Sequence, residues 1–300
     1  MTDAPQQRLL LVHAHPDDET IGTGATMALY AAQGRGVTLV TCTAGEMGEI
    51  LVPELEHLAA DQEDRLGEHR RGEIADAMAI LGVTDHRWLG GFGKYRDSGM
   101  QWHEAGYAIP ADDTHDNAFW NADLEQAAND LVSVIREVRP QVVVTYDPFG
   151  GYGHPDHIQA HRVTMYAVQL AGVTSHRRDL GEAWQVSKVY WTALSARRIQ
   201  EGIDELTARG EDPGFLSQVL MMASPDADLA AAIDATEMAK TKVAAFRAYP
   251  TQIAIDGPFF QMSEGQGERG WGEEVYSLAV GTKGPVREDG LETDLFAGIG

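Results

Sequence analysis

Two short stretches concentrate the reactive side chains of this 300-residue chain: HPDDE at 15–19 and HPDH at 154–157. Each follows a run with strand character, LLLV before the first and VVVTY before the second. In each, a Pro follows the His, which suits the first turn of a helix, where a missing N–H costs nothing. Residues i and i+3 on such a turn point to one side, so His15 with Asp18, and His154 with His157, should project toward a common region. Two imidazoles and a carboxylate around an open position make a catalytic zinc site. The remaining carboxylate, Asp17, would then lie beside a water on that ion, suited to act as general base. One H-P-D alone is weak evidence, since an Asp near a helix N-cap explains it as well. Its echo after a second strand is what argues for metal. Service to a helix dipole would also crowd Asp17, Asp18 and Glu19 together, and a bound cation explains that cluster better.

Strands are expected at 9–13, 37–43, 87–89, 142–146 and 188–192, with helices at 24–33, 65–81, 124–138 and 158–170. The apolar runs LLLV and VVVTY are continuous rather than alternating, as in strands covered on both faces. Strand–helix alternation of this kind predicts an α/β fold, a mostly parallel sheet with helices on both faces. Both motifs would then sit at the carboxyl ends of strands, where open α/β sheets bind ligands. Beyond about residue 175 the rhythm weakens, so the expected organisation is a catalytic domain over 1–175 and a smaller C-terminal α/β part, 176–300, completing the site. GTG at 22–24 invites a dinucleotide reading but lacks the third glycine, and HPDDE already occupies the turn after the first strand. The segment 90–121, rich in Gly, aromatic and polar residues, is too long for an ordinary connection and reads as a functional loop or an exposed insertion.

With 46 acidic against 23 basic residues, the net charge of −23 repels phosphate backbones and argues against a nucleic-acid partner. The opening MTDAPQQ has neither the basic nor the apolar region of a signal peptide, and the longest apolar runs are too short to span a bilayer. One cysteine, Cys42, suits a reducing cytoplasm, and in VTLVTCT it reads as a buried strand residue. The expectation is a cytoplasmic protein with neither nucleic-acid nor membrane partners; oligomeric state is left open.

AHPDDE after the first strand, with GHPDH after a later one, resembles the LmbE-type zinc deacetylases of N-acetylglucosaminyl compounds. LVTCTAGEMGE, HRRGEI, YRDSGM, RPQVVVTYDPFGGYGHPDH and LETDLFAGIG extend the likeness to the branch acting on N-acetylglucosaminyl-inositol in mycothiol biosynthesis. The resemblance implies a Rossmann-like sheet with a smaller C-terminal part and one Zn2+ per chain, with Fe2+ an alternative. It makes His15, Asp18 and His157 the metal ligands and Asp17 the base. His154 becomes a cationic group that stabilises the oxyanion and protonates the leaving amine, with Asp156 orienting it and Tyr152 near the substrate carbonyl. Arg70 and Asp97 match positions that hold sugar and inositol hydroxyls, with Arg71 one residue away as the other register. The implied reaction converts the acetamide of the amino-sugar inositol substrate, 1-O-(2-acetamido-2-deoxy-glucopyranosyl)-myo-inositol, to free amine and acetate. Rival readings are a mycothiol S-conjugate amidase, a deacetylase of another N-acetylglucosaminyl compound, a metal-stabilised sugar-binding protein and a NAD-dependent oxidoreductase.

Overall fold

Leu9 and Leu11 belong to the apolar core on one face of the first strand, and Leu10 and Val12 to the core on the other. The continuous LLLV run is therefore a strand buried on both sides, β1 (Arg8–His13), in the computed structural model, which describes residues 7–254, 257 and 270–299. The chain continues through α1 (Asp18–Ala32), β2 (Gly36–Thr41), α2 (Leu66–Leu81) and β3 (Asp85–Trp88). A hairpin of β4 (Met100–Trp102) and β5 (Ala108–Pro110) precedes α3 (Leu124–Val138), β6 (Val142–Thr145), the glycine turn α4 (Gly150–Gly153) and α5 (Pro155–Ala171). Then come β7 (Lys188–Ala193), α6 (Ala196–Ala208), α7 (Gly214–Leu220), β8 (Ala231–Asp234), α8 (Ala239–Phe246) and β9 (Glu273–Val280).

The main sheet has the order β3-β2-β1-β6-β7-β9-β8, parallel from β3 to β7 and antiparallel at β9. Helices α1, α2 and α8 cover one face; α3 and α5 cover the other. The chain leaves β1 toward β2 and β3, then returns to lay β6 on the opposite side of β1. That reversal between β1 and β6 opens a crevice at their carboxyl ends, the topological switch point where open α/β sheets take ligands. HPDDE leaves β1 and HPDH follows β6, so the switch point is what brings the two motifs together.

Two helices start earlier than expected, α1 at Asp18 rather than 24 and α5 at Pro155 rather than 158. Their first turns carry polar residues, so apolar periodicity does not reveal them. The residues beyond 175 supply β7, β9 and β8 to the same sheet and α8 to its face, so the sheet runs across the expected boundary. The segment 90–121 contains the β4–β5 hairpin, paired from Met100–Pro110 to Trp102–Ala108.

The hairpin is seated against the second motif by a close backbone approach. Gly153 has φ +95, and a Cβ there would come 2.4 Å from the Ala108 carbonyl oxygen. Gly153→Ala is therefore expected to cost at least about 1 kcal/mol, a fall in Tm of roughly 2–4 °C for a chain of this size class. Gly151 also has positive φ but open space around it, so Gly151→Ala carries only the backbone strain. Equal melting temperatures for the two variants would show that the Ala108 contact constrains nothing.

Candidate active site

The turn after β1 is strained. Asp17 has φ 100 and ψ −37, a conformation that costs a non-glycine residue on the order of 1–3 kcal/mol unless its surroundings impose it. Several groups impose it here. Its N–H donates to Glu19 Oε2 at 3.0 Å, and Tyr249 from the C-terminal part donates to Glu19 Oε1 at 2.7 Å. Arg70, buried on α2, donates to the Pro16 carbonyl, to Gly45 O at 2.9 Å and to Asp17 Oδ2 at 3.0 Å. The twist turns neighbouring carboxylates apart: Asp17 toward Arg70, Asp18 toward the histidines.

Asp18 Oδ2 is the centre of the cluster. It accepts the His15 backbone N–H at 2.9 Å and the Tyr146 hydroxyl at 2.8 Å; that hydroxyl in turn accepts the Ala14 N–H at 2.9 Å. The same oxygen lies 3.3 Å from His15 Nδ1 and 3.3 Å from His157 Nε2. The other nitrogens of both rings are engaged, His157 Nδ1 with the Gly150 carbonyl at 3.1 Å and His15 Nε2 with Asp156 Oδ2 at 3.2 Å. Those partners can only accept, so in the neutral tautomers the protons sit there and both nitrogens facing Asp18 are bare. Three lone-pair atoms then face one another, and His157 Nε2 is buried with no hydrogen-bond partner. Such a constellation calls for a cation between its members. The pull on protons shows the same need. Burial alone would favour neutral His15, but Asp97, Asp156 and Asp18 together hold its pKa well above the usual histidine value. The donor set of two imidazoles and a carboxylate therefore fits a divalent metal. Ring nitrogens of His15, His154 and His157 also converge within 4.8 Å, as do donors of His15, Asp97 and Asp156.

His154 caps α5, its Nδ1 accepting the Asp156 backbone N–H at 3.1 Å. Burial, with His15 and His157 close by, lowers its pKa to about 2. A cationic His154 is thus not what its surroundings favour; they hold a neutral ring that presents Nε2–H as a donor. Asp156, expected to orient His154, meets it through the main chain and not the carboxylate. The Asp156 carboxylate holds His15 Nε2 and accepts from Ser98 N at 2.9 Å and from Ser98 Oγ. It is the Asp156 main chain that meets His154. One position serves two histidines because the first turn of α5 sends its N–H back to the cap and its side chain across to β1.

Arg70 and Asp97, expected beside the sugar and inositol hydroxyls, both have partners within the cluster. Both are turned into the cluster: Arg70 onto Asp17 and the HPDD backbone, Asp97 Oδ1 to 3.6 Å from His15 Nε2. Asp97 also accepts from Met47 N at 3.2 Å and Gly99 N at 2.9 Å. Arg71 instead lies over the Phe92 ring, so of the adjacent arginines Arg70 is the one in the site. The Asp17 carboxyl is pushed up to about 8, burial outweighing the opposing pull of Arg70. The Tyr152 ring stands edge-on to His157 at 5.2 Å and to His154 at 6.0 Å, and burial keeps its hydroxyl protonated. Sequence reasoning missed Tyr146, whose ring stacks on His157 at 4.2 Å, and Ser98. Tyr146 closes the VVVTY run and reads there only as the end of a strand; Ser98 lies inside YRDSGM, a stretch whose expected site residue is Asp97.

The family model "PIG-L: GlcNAc-PI de-N-acetylase" matches residues 10–168. A Nocardioides sp. protein named 1D-myo-inositol 2-acetamido-2-deoxy-alpha-D-glucopyranoside deacetylase is 64% identical over 98% of this chain and 99% of its own. One of the same name from Kribbella flavida is 57% identical, covering 100% of both chains. Among solved structures, the N,N'-diacetylchitobiose deacetylase of Pyrococcus horikoshii superposes with a TM-score of 0.60 at 20% identity, over 91% of this chain and 84% of that one. That similarity is of fold.

Proposed function

Because this chain belongs to the PIG-L, GlcNAc-PI de-N-acetylase, family, we propose that it hydrolyses the acetamide of 1-O-(2-acetamido-2-deoxy-glucopyranosyl)-myo-inositol to the free amine and acetate, a step of mycothiol biosynthesis. The observation that carries the chemistry is the Asp18 carboxylate oxygen lying 3.3 Å from a ring nitrogen of each of His15 and His157. The substrate rests on a likeness that runs the length of the chain. His15, Asp18 and His157 would hold one Zn2+, and the same donor set accepts Fe2+. When bound, the ion polarises the acetamide carbonyl and makes water a stronger nucleophile at neutral pH.

The remaining roles fall to side chains of this protein. Asp17, held by Arg70 and Glu19, takes the proton of the attacking water. His154 offers Nε2–H, and Tyr152 its hydroxyl, to the oxygen that becomes negative as the carbonyl turns tetrahedral. The proton gathered on Asp17 is then available to the departing amine. Arg70 acts through Asp17, and Asp97 and Asp156 act through His15. Among the described residues no helix is long and apolar enough to cross a membrane, in keeping with a cytoplasmic enzyme acting on a small polar substrate.

Acetate release from three compounds tests the proposal: N-acetylglucosaminyl-inositol, N-acetylglucosamine, and, with its own acid product, a mycothiol S-conjugate. The inositol compound should have the highest kcat/KM. Preference for the conjugate would make the protein an amidase of the larger acyl group, and turnover of none would remove the hydrolase reading.

A further inference from the structure

The hairpin in segment 90–121 carries an exposed aromatic that no catalytic role absorbs. Trp102, at the end of β4, is 61% exposed, and its ring stacks on Tyr152 with centroids 5.9 Å apart and planes 29° from parallel. Tyr152 in turn touches His154 and His157, so an aromatic surface runs continuously outward from the candidate metal site. Tyr107, on the same hairpin, and Phe149, before the HPDH turn, form a second aromatic pair, meeting edge-on at 6.0 Å, and both are partly open to solvent. A single exposed aromatic is ordinary; several in contact along one wall of a site mark a surface that something covers.

Trp102 is also held in position. Four residues before it, Ser98 binds the Asp156 carboxylate and accepts the Trp120 N–H at 2.9 Å. On the other strand, Ala108 pairs with Trp102 and lies against Gly153, immediately before His154. Both sides of the hairpin are thus tied to the HPDH turn, and the indole has a set place relative to the reacting centre.

We propose that Trp102, stacked on Tyr152, forms an aromatic platform that receives the cyclitol ring of the substrate, the ring one glycosidic link beyond the amino sugar. The inference rests on the glucosaminyl-inositol reading above. A six-membered polyol has polar edges and a face of C–H groups, and a flat, rigid aromatic covers that face at low entropic cost. The order of groups along the wall matches the order in the substrate: acetamide at the histidines, sugar along Tyr152, cyclitol on Trp102.

The test compares Trp102→Ala and Trp102→Phe on N-acetylglucosaminyl-inositol and on N-acetylglucosamine, which lacks the cyclitol. Trp102→Ala should raise KM for the inositol compound about tenfold while leaving N-acetylglucosamine turnover close to wild type. Trp102→Phe, which keeps a flat ring, should recover most of the loss. Metal content equal to wild type in both variants would verify that the site itself is intact. An unchanged KM for the inositol compound overturns the platform, as does an equal loss on both compounds, which would mean that Trp102 serves Tyr152 instead. A change of oligomeric state with unchanged KM would mark a face for a second copy and likewise overturn it. Absence of turnover of the inositol compound by the wild-type enzyme would instead defeat the functional reading on which the platform rests.

Discussion

Asp17→Asn is expected to keep near-normal metal content while kcat falls by roughly 10²–10⁴, the range for removing a general base. Asparagine is the informative replacement for conformational reasons. Position 17 has φ 100, and Asn is among the few residues that tolerate positive φ. Its side-chain oxygen still accepts from Arg70, and its backbone N–H still reaches Glu19, so the turn should hold. What disappears is the proton acceptor. Metal analysis alongside steady-state kinetics separates the outcomes. Loss of metal from Asp17→Asn, with retention by Asp18→Asn, would exchange the two roles. Near-full activity in Asp17→Asn would mean that no carboxylate base is needed.

Replacing His15, Asp18 or His157 with Ala should remove bound metal and activity together, and more severely than a change one shell further out. Asp156→Asn is the comparison, since its carboxylate supports His15 Nε2 without facing Asp18. Changes at such supporting positions typically cost about 10–100-fold in metal affinity or activity. The ligand variants should exceed that, because each removes either the Asp18 oxygen or one of the two ring nitrogens 3.3 Å from it. His157→Ala also leaves a space beside Tyr146, so its melting temperature should be measured with its metal content. Full metal occupancy in all three folded variants would sink the ligand assignment, leaving the convergence of His15, His154 and His157 as the other donor set to examine.

Much of the architecture was legible because it rests on local patterns. Continuous apolar runs announce strands buried on both faces, and LLLV and VVVTY became β1 and β6 for that reason. The echo of HPDDE and HPDH announced a shared site, since Pro after His places both motifs on first helical turns whatever the rest of the chain does. Where the helices began was less legible, because polar first turns carry no periodicity. The last two strands were not legible: β8 is four residues long, and β9 runs antiparallel between β7 and the edge strand β8.

Which atom meets which was decided only in three dimensions. Residue types and spacing put His15, Asp18, His154 and His157 near one region, but ring nitrogens are assigned by distant partners such as the Gly150 carbonyl and the Asp156 carboxylate. The same holds for Asp156, whose side chain crosses from α5 to the histidine after β1, 141 positions earlier. Arg70 and Asp97 match polyol-binding positions by resemblance, and packing also sets both against buried partners, Asp17 and His15, that no local pattern reveals. The charge of His154 is likewise a property of its burial and of two neighbouring imidazoles, one of which, His15, comes from the other motif. Sequence determined the chemistry available, because ligand type and helix position are set within a few residues. Tertiary structure decided its distribution among the residues, because proton positions, strain and desolvation depend on groups brought together from distant parts of the chain.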